Sequence, residues 1–535
     1  MGETEAWRYG ERNRSVLVGA SAGVLAALAL APPAPALSFL PASVLAIPLW
    51  LALALLWSFQ RRPAALWASS AWGAAAVLVS HRWLLALHPL DWIGVPLPLS
   101  LPLCVLLLLA CAALAGLLLA LWSAVAVRLG PQRFSAALLL SCGWGLAEVL
   151  LARGPLFWIG LGGSALPADP PLAALACLGG SGLVAALQLL IGWGLWRLLV
   201  SPLRSRPGGW AWAGLLLLAL HGLGWWQLQG GGVVAAARDF PTERVEVLQP
   251  AIPTRQKQQW QARQRTERLL GQALNQAQAA GADLVLLPEG ALGLEPLLAE
   301  PAAVELLSGG FRWQLDQAAD GPAADGPAAG EPQQRSALLR FAAGERRFSG
   351  ALDKHRLVPL GEWVPFGGLL RWSGLSAVGG LQPGAPSRLL ERPVGPIAAA
   401  ICYEIADGTG LAAAVREGAG WLLASANLDP YPPLLQRQFT ALARLRALET
   451  RRWLVSVANT GPSQLIDPAG RVVWSLPVGV PASGVTEVPV LAELTPYGRL
   501  GELPLLALAL AGLLLHLRAR LPSISTMGGR SRPSS

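Results

Sequence analysis

Eight runs of mostly apolar residues, at 16–31, 38–57, 65–80, 99–127, 134–151, 172–200, 210–228 and 503–517, constrain this chain more than any other feature. A helix needs about 20 mostly apolar residues to cross a bilayer, with roughly 17 as the lower limit. One such run could be the core helix of a globular domain. Eight in this arrangement predict a polytopic helical membrane domain. The runs at 99–127 and 172–200 exceed the minimum, so tilt or overhang is expected. The first run is followed at once by others and shows no evident cleavage site, so it reads as a span and not as a removable signal. Composition agrees: 53% of the 535 residues are hydrophobic and 14% are charged, against about 25% charged in an ordinary soluble chain.

The texture changes between residues 233 and 502. Charges recur every few residues and apolar runs shorten to strand length. This is a soluble domain, large enough for a sizeable core, inserted between the seventh and eighth runs. The expected organisation is 1–232 as a seven-span membrane domain, 233–502 as the inserted domain, and 503–535 as a last span with a tail.

The net charge of +9 divides unevenly: the inserted segment holds 25 basic and 26 acidic residues, the remainder 16 and 6. Most of the basic residues of the remainder sit at Arg8, Arg12 and Arg14, at Arg61 and Arg62, at Arg128 and Arg133, at Arg204 and Arg206, and after the last run at Arg518, Arg520, Arg530 and Arg532. The alternate short loops hold Arg82 and Arg153. Positive residues stay on the cytoplasmic side of spans, so both termini are expected there and the inserted domain on the outer face. Basicity that orients spans gives no support for nucleic-acid binding.

Within the inserted domain, β-like runs recur at Val245–Gln249, Ala282–Pro288, Ser336–Ala342, Arg347–Asp353, Ile397–Cys402, Trp421–Ala426, Trp453–Ala458, Ser463–Asp467 and Val472–Leu476. Helical spacing marks Gln258–Ala280 and Leu434–Thr450 as amphipathic helices, the second through Leu435, Phe439, Leu442, Leu445 and Leu448. Strands mixed with helices predict a layered α/β or α+β domain. Asp320–Glu331 repeats Asp-Gly-Pro-Ala-Ala and reads as a surface loop. Leu369–Pro383 is apolar and is either core or a loop dipping into the bilayer.

Three strand ends carry candidate chemistry. The run Leu284–Leu287 ends at Pro288 and presents Glu289; alone, a strand-end glutamate is more often a solvated turn residue. Ala398–Ile401 runs straight into Cys402, the one cysteine outside the apolar runs, where Cys104, Cys111, Cys142 and Cys177 lie. It has no partner for a disulfide within its domain and is either inert and buried or a free nucleophile. The third end, Leu352-Asp353-Lys354, holds one of only two lysines, Lys257 being the other, against 39 arginines. An ammonium is a compact charge with a tunable pKa that a guanidinium does not imitate. A thiol needs a base or a nearby cation to react; Glu289 could supply the first and Lys354 the second.

The Glu–Lys–Cys set at three strand ends resembles the nitrilase superfamily, whose domain is an α-β-β-α sandwich. KHRLVPLGEWVPF around Lys354, ICYEI around Cys402 and LLPEGAL around Glu289 resemble more narrowly the apolipoprotein N-acyltransferase family, in which such a domain lies between spans seven and eight and faces the periplasm. The resemblance covers essentially the whole chain. It implies Glu289 as general base, Lys354 as the oxyanion-stabilising cation and Cys402 as the acylated nucleophile. Glu362, Tyr403 and Glu404 match residues that support the active site, and Trp260 one that shapes the substrate entrance; the plainer readings are that Tyr403 only packs, Glu362 only holds Lys354 and Trp260 only covers helix surface. The chain departs from the family at Ala251, where asparagine is usual, at Ser425–Tyr431, where a SNDxWF-like run is usual, and at Leu434–Gln438, which lacks a common histidine.

The resemblance implies acyl transfer from a phospholipid, through a cysteine thioester, to the α-amino group of a diacylglyceryl apolipoprotein. It further implies a multi-pass protein of the bacterial inner membrane, with the bilayer as its surroundings. No metal or phosphate-loop motif is present, so no cofactor is expected, and nothing demands more than a monomer. A membrane-anchored amidase with water as acceptor is the enzymatic rival. A transporter or scaffold would need ionisable residues inside spans, for which Glu148 and His221 are the few candidates.

Overall fold

The computed structural model describes residues 2–31, 44, 46–62, 64–91, 94–200, 207–229, 240–257, 259–315, 332–359, 361–363, 380–429 and 431–520. The expected loop at Asp320–Glu331, all of Leu369–Pro383 before residue 380, the boundary at 232–233, and Arg204, Arg206, Arg530 and Arg532 lie outside them. Each apolar run overlaps a helix, at Gly2–Leu30, Ala46–Phe59, Ala65–Ser80, Leu97–Leu129, Phe134–Ala152, Ala176–Val200, Pro207–Leu228 and Leu503–Arg518, while 38–43 and 45 of the second run lie outside the described residues. Among the described residues, four helices are long and apolar enough to cross a membrane, at Gly10–Leu30, Leu97–Leu129, Phe134–Ala152 and Ala176–Val200, while Ala46–Phe59 and Leu503–Arg518 are shorter. Leu97–Leu129 buries Cys104, Leu108, Ala112 and Leu119 yet exposes Leu106, Leu109, Leu117 and Leu121. A helix apolar on both faces suits hydrocarbon outside as well as protein inside.

Small residues let these helices approach closely. A Cβ on Gly145 would lie 2.2 Å from the carbonyl oxygen of Gly182. The expected single run at 172–200 is divided: Pro170–Ala174 forms a short helix capped by the Asp169 side chain, and Ala176–Val200 breaks at Gly179 and Gly180. Gly180 has φ +71°, and a Cβ there would meet the Tyr497 ring at 2.5 Å.

Among the described residues, the inserted domain contains two six-stranded sheets. The first has strands β1 (Thr242–Gln249), β2 (Leu284–Leu287), β3 (Glu305–Leu315), β4 (Pro332–Phe341), β5 (Gly350–Asp353) and β12 (Ala482–Pro489), in the order β12-β1-β2-β3-β4-β5. The second has β6 (Leu389–Leu390), β7 (Ile397–Ile401), β8 (Leu422–Ala426), β9 (Leu454–Ala458), β10 (Gln464–Ile466) and β11 (Val472–Ser475), in the order β11-β10-β9-β8-β7-β6. In each, the central strands run parallel: β1-β2-β3 and β7-β8-β9. Parallel strands covered on both faces read as unbroken apolar runs, as Leu-Val-Leu-Leu and Ile-Ala-Ala-Ala-Ile do.

Alternation along each strand decides which layer a side chain joins. Val245, Val247, Leu284, Leu286, Ile397, Ala399, Ile401, Val455 and Val457 fill the space between the sheets. Val285 and Leu287 turn outward onto Leu270, Ala273, Leu274 and Ala277 of the Trp260–Ala280 helix. Ala398 and Ala400 turn outward onto Leu411 and Val415 of the Gly408–Arg416 helix and onto Phe439 and Leu442 of the Pro433–Thr450 helix. The layering is therefore α-β-β-α.

The Pro433–Thr450 helix is not amphipathic in the expected sense. Phe439, Leu442, Ala443 and Ala447 face the second sheet, but Ala441, Leu445 and Leu448 pack against Leu172–Ala176 and Val184 of the helical domain. It is the seam between the two domains, buried on both sides. Its Gln438 side chain donates to the carbonyl oxygens of Leu30 and Ser80, at two helix ends, at 2.9 and 3.0 Å. Arg153, after the Phe134–Ala152 helix, donates to Thr409 at 3.1 Å, and Arg255 donates to Pro89, before the Leu97–Leu129 helix, at 2.9 Å.

Strands β3, β6 and β12 and the Gly408–Arg416 helix do not stand out in the sequence. In β3 the pair Gly309-Gly310 interrupts the apolar pattern, and its reason is tertiary. A Cβ on Gly309 would lie 2.4 Å from Cα of Glu289 and 2.6 Å from N of Gly290, so the turn carrying Glu289 lies directly on that strand.

Candidate active site

Five polar residues meet at strand ends. Glu289 follows β2, Lys354 follows β5, Cys402 follows β7, Asn427 follows β8 and Asn459 follows β9. The carboxyl ends of strands are where an open α/β layer leaves a crevice for ligands. All five line one cavity of 1440 Å³, together with Tyr431.

Lys354 is fully buried at the centre. Its Nζ donates to Oε1 of Glu289 at 2.6 Å and to Oε1 of Glu362 at 2.8 Å. The other oxygen of each carboxylate is fixed by a backbone N–H: that of Asn427 reaches Glu289 at 3.0 Å and that of Val358 reaches Glu362 at 2.9 Å. The Cys402 thiol lies near enough to Glu289 for each to shift the other's titration. Cys402 begins a short 3-10 turn at the end of β7 with φ +55°, a region that side chains with a Cβ seldom adopt. The sharp reversal projects the sulfur into the cavity instead of along the strand.

These contacts set the charges. Burial raises the Glu289 carboxyl, but the Lys354 ammonium, the Asn427 N–H and the thiol outweigh it and hold Glu289 below its ordinary value. For Glu362 burial prevails and Glu289 adds to it, so its carboxyl lies above the ordinary value despite Lys354. Against its burial, Glu289 and Glu362 hold the Lys354 ammonium well above its usual value. Burial, then the Glu289 charge, push the Cys402 thiol well up, with Lys354 opposing. The resting site thus holds a protonated thiol beside an ionised Glu289, with Lys354 charged. This is the arrangement for a base that takes the thiol proton as the nucleophile attacks.

Tyr403 and Glu404 join the Cys402 turn to the Lys354 segment. The Tyr403 hydroxyl donates to the Leu357 carbonyl at 2.6 Å, with the Arg356 guanidinium 5.0 Å from its ring centre. Glu404 accepts from the backbone N–H groups of His355, Arg356 and Ile401 at 2.8, 3.0 and 2.9 Å, and Arg388 donates to it at 2.9 Å. Trp260 is not brought to this cluster. It opens its helix at 69% exposure, while Lys257, three residues earlier, lines the cavity. Arg388 and Lys257 were not assigned from sequence. The scarcity of lysine was the available signal for Lys257; an arginine at a two-residue strand carries none.

Two of the departures from the family pattern, at Ala251 and Ser425–Tyr431, lie beside the site. Asn427 donates to Thr254 at 2.9 Å, Asn459 donates to Asn427 at 2.9 Å, and Asp429 accepts from the Thr254 N–H at 2.6 Å. Ala251 has φ +49° and donates its N–H to the Asn459 carbonyl at 2.8 Å. A left-handed alanine is strained by about 1–2 kcal/mol, a conformation asparagine tolerates better. Ala251→Asn is expected to raise stability by roughly 0.5–1 kcal/mol, read as a higher thermal midpoint in detergent. A lower midpoint would mean that crowding around Ala251 outweighs the relief.

The carbon-nitrogen hydrolase family matches residues 244–479. Over most of its length the chain is similar to curated apolipoprotein N-acyltransferases. That of Prochlorococcus marinus strain MIT 9313 is 48% identical over 86% of this chain and 90% of its own. That of Parasynechococcus marenigrum strain WH8102 is 46% identical over 91% and 98%. That of a second strain of Prochlorococcus marinus is 42% identical over 86% and 90%.

Proposed function

The chain belongs to the apolipoprotein N-acyltransferase family, and from that premise we propose that Cys402, Glu289 and Lys354 carry out its acyl transfer. It is an acyltransferase of lipoprotein maturation with phospholipid and lipoprotein substrates. The observation that carries the residue assignment is Lys354 Nζ, held 2.6 Å from Glu289 in the cavity that Cys402 lines.

Glu289 takes the thiol proton as sulfur attacks the sn-1 ester carbonyl of the phospholipid. Lys354 and backbone N–H groups stabilise the tetrahedral oxyanion, a contribution often worth a few kcal/mol. The ester C–O bond breaks, the lysophospholipid oxygen leaves with the proton from Glu289, and a thioester remains on Cys402. The α-amino group of the diacylglyceryl cysteine then attacks the thioester. Glu289 takes a proton from the amine, the C–S bond breaks, and the thiol re-forms as the amide departs. Two half-reactions through one covalent intermediate give ping-pong kinetics. Glu362 holds Lys354, and Tyr403 and Glu404 hold the segments on which Lys354 and Cys402 stand.

Residues 1–232 and 503–535 form an eight-span domain of the inner membrane, with both termini cytoplasmic and 233–502 periplasmic as the catalytic domain. Supporting this, the catalytic domain touches Leu30, Ser80 and Arg153, at the ends of the first, third and fifth helices, and Pro89, before the fourth. Alternating spans put these four positions on one face. Arg520 donates to the Arg128 carbonyl, on the opposite face. The chain works as a monomer, since all the proposed catalytic groups come from one copy.

The test is intact-mass measurement of the purified protein mixed with phospholipid. One acyl chain is expected on Cys402, discharged by a diacylglyceryl peptide and absent in Glu289→Gln. Peptide acylation without the adduct would sink the covalent route. Release of fatty acid with no acylated peptide would favour water as the acceptor.

A further inference from the structure

The second lysine is not used by this mechanism. Lys257 follows the Thr254–Gln256 turn and lines the same cavity as Cys402. Its part-buried Nζ donates to two backbone carbonyls, Glu289 at 3.4 Å and Gly290 at 3.2 Å. Neither carries a formal charge, and among the described residues Lys257 forms no ion pair with a carboxylate. Lys354, by contrast, is saturated by two. Burial pulls the Lys257 ammonium down to about 8, against Glu289 and Asp429, which raise it. A desolvated cation without its own counter-ion gains most from an anionic ligand. With two of its three N–H groups engaged, one is left for such a ligand. Arg263 and Arg268 also line the cavity wall, but both are exposed, where water screens an ionic contact.

We propose that Lys257 binds the phosphodiester of the acyl donor, and so selects a phospholipid over an uncharged ester at Cys402. This rests on the acyl-transfer reading above. The amine acceptor is neutral or cationic, so the phosphodiester is the substrate group whose charge Lys257 complements. The two carbonyl bonds aim the ammonium from the turn that carries Glu289, so donor and base are placed by one segment.

The test compares acyl-Cys402 formation from phosphatidylethanolamine and from diacylglycerol with the same acyl chains, in mixed micelles. Lys257→Met is expected to lower the preference for the phospholipid at least about tenfold, through KM more than through the saturated rate, since a charge-assisted hydrogen bond is worth roughly tenfold or more. Lys257→Arg, which keeps the charge, is expected to restore most of the preference. Equal losses on both donors would overturn the proposal and leave Lys257 only as a brace for the Glu289 turn. An unchanged preference would also overturn it. Inorganic phosphate separates the sources: if millimolar phosphate blocks diacylglycerol turnover in a Lys257-dependent way while donor preference is unchanged, the site is one for free anions and the proposal fails. Wild-type acylation from the phospholipid is the control. Its absence would defeat the acyl-transfer reading itself, whereas its presence with an unaltered preference defeats only the role of Lys257.

Discussion

Cys402→Ala is expected to abolish acyl transfer, lowering turnover on the order of ten-thousand-fold or more, because the covalent route loses its only nucleophile. Lys354 and Glu289 remain in place, so lipid can still bind and the loss should fall on the rate and not on KM. The companion variant Cys402→Gly should be equally inactive yet more stable than Cys402→Ala. Cys402 stands at φ +55°, where a residue with a Cβ is strained by about 1–2 kcal/mol and glycine is not. Glycine returns part of that through its larger unfolded-state entropy, about 0.5–1 kcal/mol. A gain of a few tenths to about 1 kcal/mol is therefore expected between the two inactive variants. Thermal unfolding of both in the same detergent measures it. A Gly variant melting below the Ala variant would show that the nucleophile turn stores no strain.

Lys354→Met is expected to remove activity by about a thousand-fold or more and to destabilise the protein by about 3–5 kcal/mol. Two functions go together. The oxyanion loses its cation, and Glu289 and Glu362, both buried, lose the charge between them. Their mutual repulsion then raises both carboxyls, so the base is protonated at neutral pH. The double variant Lys354→Met/Glu362→Gln should recover much of the stability and none of the activity, which separates the two effects. The wild-type pH dependence follows from the same pair. Glu289 is depressed in the folded state, so its contribution is complete above its unfolded pKa and is lost as pH falls through the lower folded value. Lys354 is raised, so its contribution is complete below its unfolded pKa and is lost as pH rises through the higher folded value. Stability from this site should therefore span the window between the carboxylate and lysine ranges. Glu362, raised by burial, works against the acidic edge. A wild-type and Lys354→Met pair with the same stability across that window would remove the ion pair from the account.

The three proposed catalytic residues were legible because each stands at or near the end of a strand-like run. Leu284–Leu287 and Ala398–Ile401 read as buried strands that end close to Glu289 and at Cys402, and Lys354 stood out because the chain has only two lysines. Glu362, Tyr403 and Glu404 were legible by likeness alone. Asn427 and Asn459 stand at strand ends just as Glu289 does, but an amide after a strand is ordinary turn chemistry, and only the bond from the Asn427 N–H to Glu289 distinguishes it. Trp260 drew attention by likeness to a family tryptophan and lies exposed. Lys257 drew it by rarity and lies in the cavity.

The eight apolar runs, the uneven charge and the apolar parallel strands follow from local composition and period, since a bilayer and a covered sheet each impose a pattern on contiguous residues. The sequence by itself therefore determined the helices and the inserted layered domain, and it placed Glu289, Lys354 and Cys402 at strand ends. Tertiary structure alone decided what depends on residues distant along the chain. Gly309 looks like a strand breaker until the Glu289 turn is laid on it. The Pro433–Thr450 helix looks half-exposed until the helical domain covers its second face. Lys354 and Lys257 look alike until one is found between two carboxylates and the other between two carbonyls. In each case the deciding quantity is a distance between segments far apart in sequence, which no local pattern encodes.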